Sequence, residues 1–353
     1  VPKGASVRLP DPILVVQTAF LGDVVLTLPV VQTLRELRPG IGVDMLVTPR
    51  AAAAIAGHPD IREVILYDKR GADSGAGGFF RILREVRRRG YACALIPHRS
   101  VRSALLARMA GIPVRAGFDT SAGRFLFTVK IPYRREAHEI ERNLTLLGAI
   151  GVGAPPVRPA RLYPSAADSG AVDAFLGPAG TGSGMPMIVI APGTLWNTKR
   201  WPAERYSELA RALLEQGYRV VLVGGPDDAP LCGTIGAGLE GRGMLNACGR
   251  FTVLGSAELM RRAAVVVCND SAPLHLAGGV GTPVLAIFGA TVPSFGFGPI
   301  GPGDGIVETS GLPCRPCSIH GGDRCPIGTF ECMTSITAPM VLGKVISMVR
   351  RRG

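Results

Sequence analysis

Short apolar runs alternate with longer amphipathic stretches along the chain. Runs rich in Val, Ile and Leu read as strands buried on both faces, because strands covered by helices on either side lose their polar positions. Residues 13–16, 42–47, 63–67 and 92–96 fit this pattern, and 111–117 resembles a short strand at a turn. Between and after them, 24–37, 51–57, 79–89, 101–110 and 138–147 carry helical patterns, while 68–78 is polar and glycine-rich and reads as a mobile loop. A second series begins at Met187. Strands are expected at 187–190, 219–223, 265–268 and 284–288, with an edge strand near 246–249. Helices are expected at 205–216, 256–262, 274–280 and 340–352. Strand–helix alternation predicts parallel sheets. The fold class is therefore α/β, with two doubly wound, Rossmann-like domains. Residues 151–185 are rich in Gly, Pro, Ala and Ser, with helical potential only at 171–176. The expected layout is a first domain over 1–165, a linker over 166–185, a second domain over 186–340, and a helix with a basic tail over 341–353.

The loops after these strands hold the candidate chemistry. In a doubly wound sheet, ligands bind outside the carboxyl ends of the strands. Gln17–Asp23 follows the first strand, and Asp23 stands at a helix start, where an acid is either a cap or a base for a substrate hydroxyl. His98, Arg99 and Arg102 follow another strand at the same expected edge and suit an anionic substrate. In the second series, Thr194 and Lys199 lie in a long loop suited to a diphosphate held without metal. Asp227 and Asp228 end the next strand, where an acid can take ribose hydroxyls. The stretch 264–289 reads as strand, loop, helix, strand. Asn269, Asp270 and Ser271 offer cap oxygens, Pro273 fits a first helical turn, and His275 lies at the same mouth, a ready anion site. The chain lacks G-x-G-x-x-G after the first strand and lacks a Walker A motif, which disfavours a dinucleotide there and ATP hydrolysis.

Charge adds a partner class. The net charge is +12, and residues 1–160 hold 23 of the 39 Lys and Arg but only 13 of the 27 Asp and Glu. That basic half is drawn to a polyanion: nucleic acid, an anionic membrane surface or a phosphorylated lipid. Nucleic acid is disfavoured, since the basic residues lack interleaved aromatics and aromatic content is 6%. No apolar run has transmembrane length and no signal peptide is evident, so a cytoplasmic protein is expected.

Taken in order, Phe20-Leu21-Gly22-Asp23 with Leu28-Pro29, then Thr198-Lys199-Arg200-Trp201-Pro202, then Asn269-Asp270-Ser271-Ala272-Pro273-Leu274-His275 resemble the ADP-heptose:lipopolysaccharide heptosyltransferases of glycosyltransferase family 9. Thr291–Pro299 (TVPSFGFGP) and the terminal cysteines look most like the heptosyltransferase II branch. The resemblance spans about residues 12–348. It implies a GT-B fold, two domains facing a central cleft, the first binding the acceptor and the second the donor. It implies inverting, metal-independent transfer of heptose from ADP-L-glycero-β-D-manno-heptose to the lipopolysaccharide inner core. By the family's pattern Asp23 is the general base, and Lys199 and Thr194 contact the diphosphate, though Leu195 stands where some members carry a second hydroxyl. Asp270 lies near the donor sugar, with Ser271 and His275 beside it, and Asp227 is loosely aligned with the ribose-binding acid. His98, Arg99 and Arg102 would meet the acceptor's Kdo carboxylates and phosphates. The implied location is the cytoplasmic face of the inner membrane, in peripheral contact. Other readings are a GT-B enzyme with another nucleotide sugar, or a non-catalytic polyanion-binding relative.

Eight cysteines complete the inventory. Cys314, Cys317, Cys325 and Cys332 form a C-x2-C-x7-C-x6-C cluster whose spacing allows a structural zinc, labile disulfides or plain packing. No cofactor is expected for catalysis. Cys93, Cys232, Cys248 and Cys268 read as packing residues.

Overall fold

The computed structural model describes residues 9–177, 186–239 and 241–351. It divides into two compact units, Val1–Ala160 and Arg161–Gly353. Each holds one six-stranded sheet whose paired strands are all parallel.

In the first unit the strands are β1 (Ile13–Gln17), β2 (Val43–Val47), β3 (Glu63–Leu66), β4 (Cys93–Ile96), β5 (Val114–Phe118) and β6 (Val129–Ile131), in spatial order 3-2-1-4-5-6. Strands β1, β2 and β4 are buried along their whole length; the apolar runs of β1 and β4 suit that burial, and β2 buries Asp44 by pairing it with Arg62 and the Tyr91 hydroxyl. Helix α1 (Leu21–Leu37) buries ten of its seventeen residues. It begins three residues earlier than its apolar pattern suggests, because the Asp23 carboxylate reaches back to the Phe20 N–H at 3.0 Å and caps the first turn. Pro29 lies inside the helix. A proline there removes one helical hydrogen bond and costs about 3 kcal/mol, which the burial of α1 against the sheet offsets. The remaining helices are α2 (Pro49–Ala52), α3 (Ala76–Arg88), α4 (Val101–Met109) and α5 (Glu139–Thr145).

The 68–78 loop is pinned rather than mobile. Arg81 grips the buried Asp73 carboxylate at 2.7 and 2.8 Å, Asp73 accepts from the Asp68 N–H, and Asp68 accepts from the amides of Gly71 and Ala72.

The second unit repeats the plan. Its strands are β7 (Met187–Ala191), β8 (Arg219–Leu222), β9 (Met244–Asn246), β10 (Val265–Asn269), β11 (Val284–Phe288) and β12 (Gly305–Glu308), ordered β12-β11-β10-β7-β8-β9. Counted from β7 this is again 3-2-1-4-5-6. Its helices are α6 (Ala166–Leu176), α7 (Ala203–Glu215), α8 (Ala229–Gly236), α9 (Val253–Arg261), α10 (Ala272–Gly279), α11 (Glu331–Thr334) and α12 (Ala338–Arg350). The core is centred on Trp201, which is fully buried, stacks edge-on with Tyr206 at 4.7 Å and donates its indole N–H to Ile336 O at 2.9 Å.

Residues 166–177 of the segment read as linker belong to this unit. Helix α6 opens with a Ser165–Asp168 capping box. It docks on α9 through Phe175 against Phe251 and through the Thr252 hydroxyl, which donates to Asp168 at 2.7 Å. The rest of that segment, 178–185, lies outside the described residues.

Candidate active site

A doubly wound sheet reverses its winding between its first and fourth strands in sequence, and the loops after those two strands splay apart to leave a ligand crevice. In the first unit those strands are β1 and β4, which pair directly. The expected residues Asp23, His98 and Arg99 all follow them.

His98 is half-buried and fully engaged. Its Nδ1 lies 3.3 Å from Val16 O, and its Nε2 lies 3.1 Å from the Thr18 hydroxyl and 3.2 Å from the Ser103 hydroxyl. A carbonyl only accepts, so Nδ1 carries the proton and Nε2 accepts from a hydroxyl. Burial pushes the imidazole pKa down to about 4, helped by the positive charge of Lys69. His98 is thus neutral at pH 7 and ties β4 to the β1 loop. Lys69 donates to the same Thr18 hydroxyl at 3.2 Å.

Arg102 is spent on the protein. It donates to the carbonyls of Asp73, Ser74 and Gly75 at 2.8–3.3 Å and lies over the Tyr67 and Phe79 rings. It clamps the loop before α3. Arg99 is exposed and lies 4.7 Å above the Tyr133 ring.

Three residues at this edge escaped the sequence reading. Glu139, buried at the start of α5, accepts from Arg142 at 2.6 Å, and Arg142 also donates to the Tyr133 hydroxyl at 2.6 Å. Burial raises the Glu139 pKa to about 7; the positive charges of Arg142 and Arg99 oppose the rise, and the negative charge of Asp23 adds to it. A second carboxyl therefore shares the electrostatic field of Asp23. The only hint in the sequence is a Glu and an Arg three apart in the helix expected at 138–147. Asn143 holds α5 against α1 by donating to Leu26 O at 3.1 Å.

In the second unit the crevice strands are β7 and β10. The Lys199 ammonium forms a 2.6 Å ion pair with Asp270, both side chains largely buried. The same Asp270 oxygen accepts from the Thr291 hydroxyl at 2.6 Å, which fixes the root of the 291–299 loop. Asn269 is the fully buried knot beneath them. Its Oδ1 accepts from the Trp201 N–H and the Tyr206 hydroxyl, and its amide donates to Pro192 O at 2.8 Å. Ser271 stands at the N-cap of α10 without a side-chain cap bond; its hydroxyl donates to Gly193 O at 3.2 Å instead. His275 lies one turn into α10 and is half-buried. Thr194 is half-buried, and its carbonyl accepts from Arg200 at 3.0 Å.

Of the two acids after β8, Asp227 is exposed, whereas Asp228 turns inward. Asp228 accepts from the Gly225 N–H at 2.9 Å. It packs so tightly on Gly193 that a Cβ there would lie 2.3 Å from its carboxylate. A side chain at position 193 would therefore displace the Asp228 carboxylate.

The cysteine-rich segment braces the same edge. Thr198 and Gly322 exchange two hydrogen bonds, at 2.9 and 2.8 Å, and a Cβ on Gly321 would meet the Lys199 side chain at 2.9 Å. Arg315, between Cys314 and Cys317, donates to the carbonyls of Gly289, Thr309 and Thr291. Beside it lies an open pocket of ≈ 450 Å³ lined by Val292, Pro293, Ser294, Glu308, Leu312 and Arg315 among others. The four cysteines are free thiols within one another's electrostatic reach. Among the described residues, however, no group of three His, Cys, Asp or Glu side chains is disposed to hold a metal ion. Of the three readings of the cluster, the structural zinc gains no support from this arrangement.

Two doubly wound parallel sheets of this order in one chain, each with charged side chains at its crevice edge, have the GT-B fold. Comparison with known proteins narrows the class. Residues 79–322 match the model of glycosyltransferase family 9 (heptosyltransferase), and the chain belongs to that family. It is 30% identical over 318 residues to lipopolysaccharide heptosyltransferase 1 of Pseudomonas aeruginosa, covering 86% of this chain and 85% of that one. It is 26% identical over 292 residues to lipopolysaccharide heptosyltransferase 2 of Escherichia coli K12, covering 80% and 84%. In structure it resembles the E. coli ADP-heptose LPS heptosyltransferase II, with a TM-score of 0.79 at 24% identity over 97% of this chain and 99% of that chain.

Proposed function

We propose that this enzyme transfers heptose from ADP-L-glycero-D-manno-heptose to the lipopolysaccharide inner core, with inversion. The observation that carries the reading is the Lys199–Asp270 pair at the start of α10, inside a family whose relatives are lipopolysaccharide heptosyltransferases. An acceptor hydroxyl attacks the anomeric carbon and gives its proton to Asp23. The bond from that carbon to the ADP oxygen breaks as the new glycosidic bond forms. Charge then gathers on the departing diphosphate, where Lys199, Thr194 and the α10 N-terminus neutralise it. Asp227 and Asp228 serve the ribose, Asp270, Ser271 and His275 the donor's sugar end, and Arg99 the anionic acceptor. The heptosyltransferase II assignment rests on the TVPSFGFGP loop and the cysteine spacing.

Calorimetric titration with ADP, UDP and GDP tests the donor. Selective ADP binding is expected. Preference for UDP or GDP would retain the GT-B class and remove heptose as the sugar.

The same reading gives the enzyme a peripheral place on an anionic membrane. Among the described residues no helix is long and apolar enough to cross one. Val101, Leu105 and Met109 recur every four residues on α4 and are exposed, as is Phe125 at 70%, with Arg108 and Arg124 exposed beside them in sequence. Apolar side chains interspersed with cations suit an anionic lipid surface. Co-sedimentation with phosphatidylglycerol vesicles is expected to weaken several-fold for Leu105→Ser with Phe125→Ser. Binding equal to the parent protein would remove this face.

A further inference from the structure

The sulfurs of Cys232 and Cys248 lie 2.8 Å apart. Two thiols in ordinary contact stand well beyond this, while a disulfide bond is about 2.05 Å long. Cys232 is fully buried in α8, and Cys248 is half-exposed just past β9. The Cys248 sulfur rests on the glycine turn that follows β8. It is 3.6 Å from Gly225 O and would lie 2.8 Å from a Cβ on Gly224. That turn carries Asp227 and Asp228. The pair therefore joins one buried and one accessible sulfur beneath a loop at the carboxyl edge of the sheet.

We propose that Cys232 and Cys248 are a redox modification site, converted to an intramolecular disulfide by a small-molecule disulfide such as oxidised glutathione. The division of labour follows from exposure. Cys248 meets the reagent, and a hydrogen bond from the Cys232 thiol holds its pKa below the usual value. The Cys248 thiolate attacks one glutathione sulfur, forming a mixed disulfide and expelling glutathione thiolate, which takes a proton. Cys232 then loses its proton and attacks the Cys248 sulfur, expelling the second glutathione thiolate. Two thiols are oxidised and one glutathione disulfide is reduced to two thiols. Such pairs are the form that disulfides take in reducing compartments, transient and redox-sensing. Burial protects Cys232 from direct attack and keeps it as the resolving partner. The bond needs the sulfurs to close by less than 1 Å.

The test is peptide mapping of the folded full-length protein after incubation with oxidised glutathione. The expected product is a cross-linked peptide joining Cys232 to Cys248, short of two hydrogens and restored by dithiothreitol. In Cys232→Ser the accessible thiol should stop at the mixed disulfide, giving a glutathione adduct on Cys248. In Cys248→Ser, Cys232 should carry neither cross-link nor adduct. The Cys248 variant guards against failure of the buried one to fold. Recovery of both cysteines as free thiols in the treated parent protein, or cross-linking of Cys248 to another cysteine, would overturn the proposal. The readout is independent of which nucleotide sugar the enzyme uses.

Discussion

The two sheets share one strand order but stock their crevice edges with opposite chemistry. At the β1/β4 edge, a neutral histidine is tied down by hydroxyls, and a buried Glu139 lies within the field of Asp23. At the β7/β10 edge, a buried ammonium and carboxylate are locked together beside a buried asparagine that makes three hydrogen bonds. The first edge is where the proposed mechanism moves a proton. The second we assign to the donor's diphosphate, with Lys199 held in place by its Asp270 partner. A single scaffold supports both because its strand ends fix only where a loop emerges, and the loop residues decide the chemistry.

Removing the proposed proton acceptor from the first edge should break the comparison most sharply. Asp23→Asn keeps the cap on α1 but not the basicity. We expect kcat for transfer to fall by about 10²- to 10⁴-fold, with ADP affinity unchanged by calorimetry. Activity near that of the parent enzyme would strip Asp23 of its role. Lys199→Met is the mirror experiment at the second edge. A lost charge-assisted contact is worth about 1.5–3 kcal/mol, so ADP should bind roughly 10- to 100-fold more weakly. An unchanged dissociation constant would take Lys199 off the diphosphate. The variant also leaves Asp270 without its cation, so a lowered melting temperature is expected alongside.

The same contrast explains what could be read without coordinates. Strands such as Val265–Asn269 and helices such as Ala203–Glu215 announce themselves, since long apolar periodicity reflects burial. The short edge strands Val129–Ile131 and Gly305–Glu308 do not. Each has one neighbour and partly exposed side chains, so no continuous apolar run marks it. At the candidate site, the positions of Asp23, Lys199 and Asp270 at the sheet edges were legible because loops after parallel strands have a fixed address in the fold. The partners that hold them were not. Thr291 reaches Asp270 from 21 positions away, and Gly322 reaches Thr198 across 124. Such pairings depend on where loops meet in space. Arg102 shows the converse: an arginine at the right edge looks ligand-facing in sequence, yet the structure commits it to three backbone carbonyls.

Acidification offers the subtlest test, because two groups at the first edge pull in opposite directions. His98 has its pKa lowered from 6.5 to about 4. The unfolded chain therefore binds the extra proton first, and stability present above pH 6.5 is lost as pH falls toward 4. Glu139 has its pKa raised from 4.5 to about 7. The folded protein binds that proton first, so its contribution is complete below pH 4.5 and is lost as pH rises through 7. Each full shift corresponds to on the order of 3 kcal/mol, and between pH 4.5 and 6.5 the two largely offset. Glu139→Gln removes one side of the balance. Its urea midpoint should fall more steeply than that of the parent protein between pH 6.5 and pH 4.5, by an amount that His98→Gln reverses in the double variant. Titrations elsewhere in the chain are common to both proteins and cancel in the difference of slopes. Parallel slopes would mean that Glu139 titrates in the ordinary carboxyl range, and that Asp23 has no second carboxyl holding a proton near neutral pH.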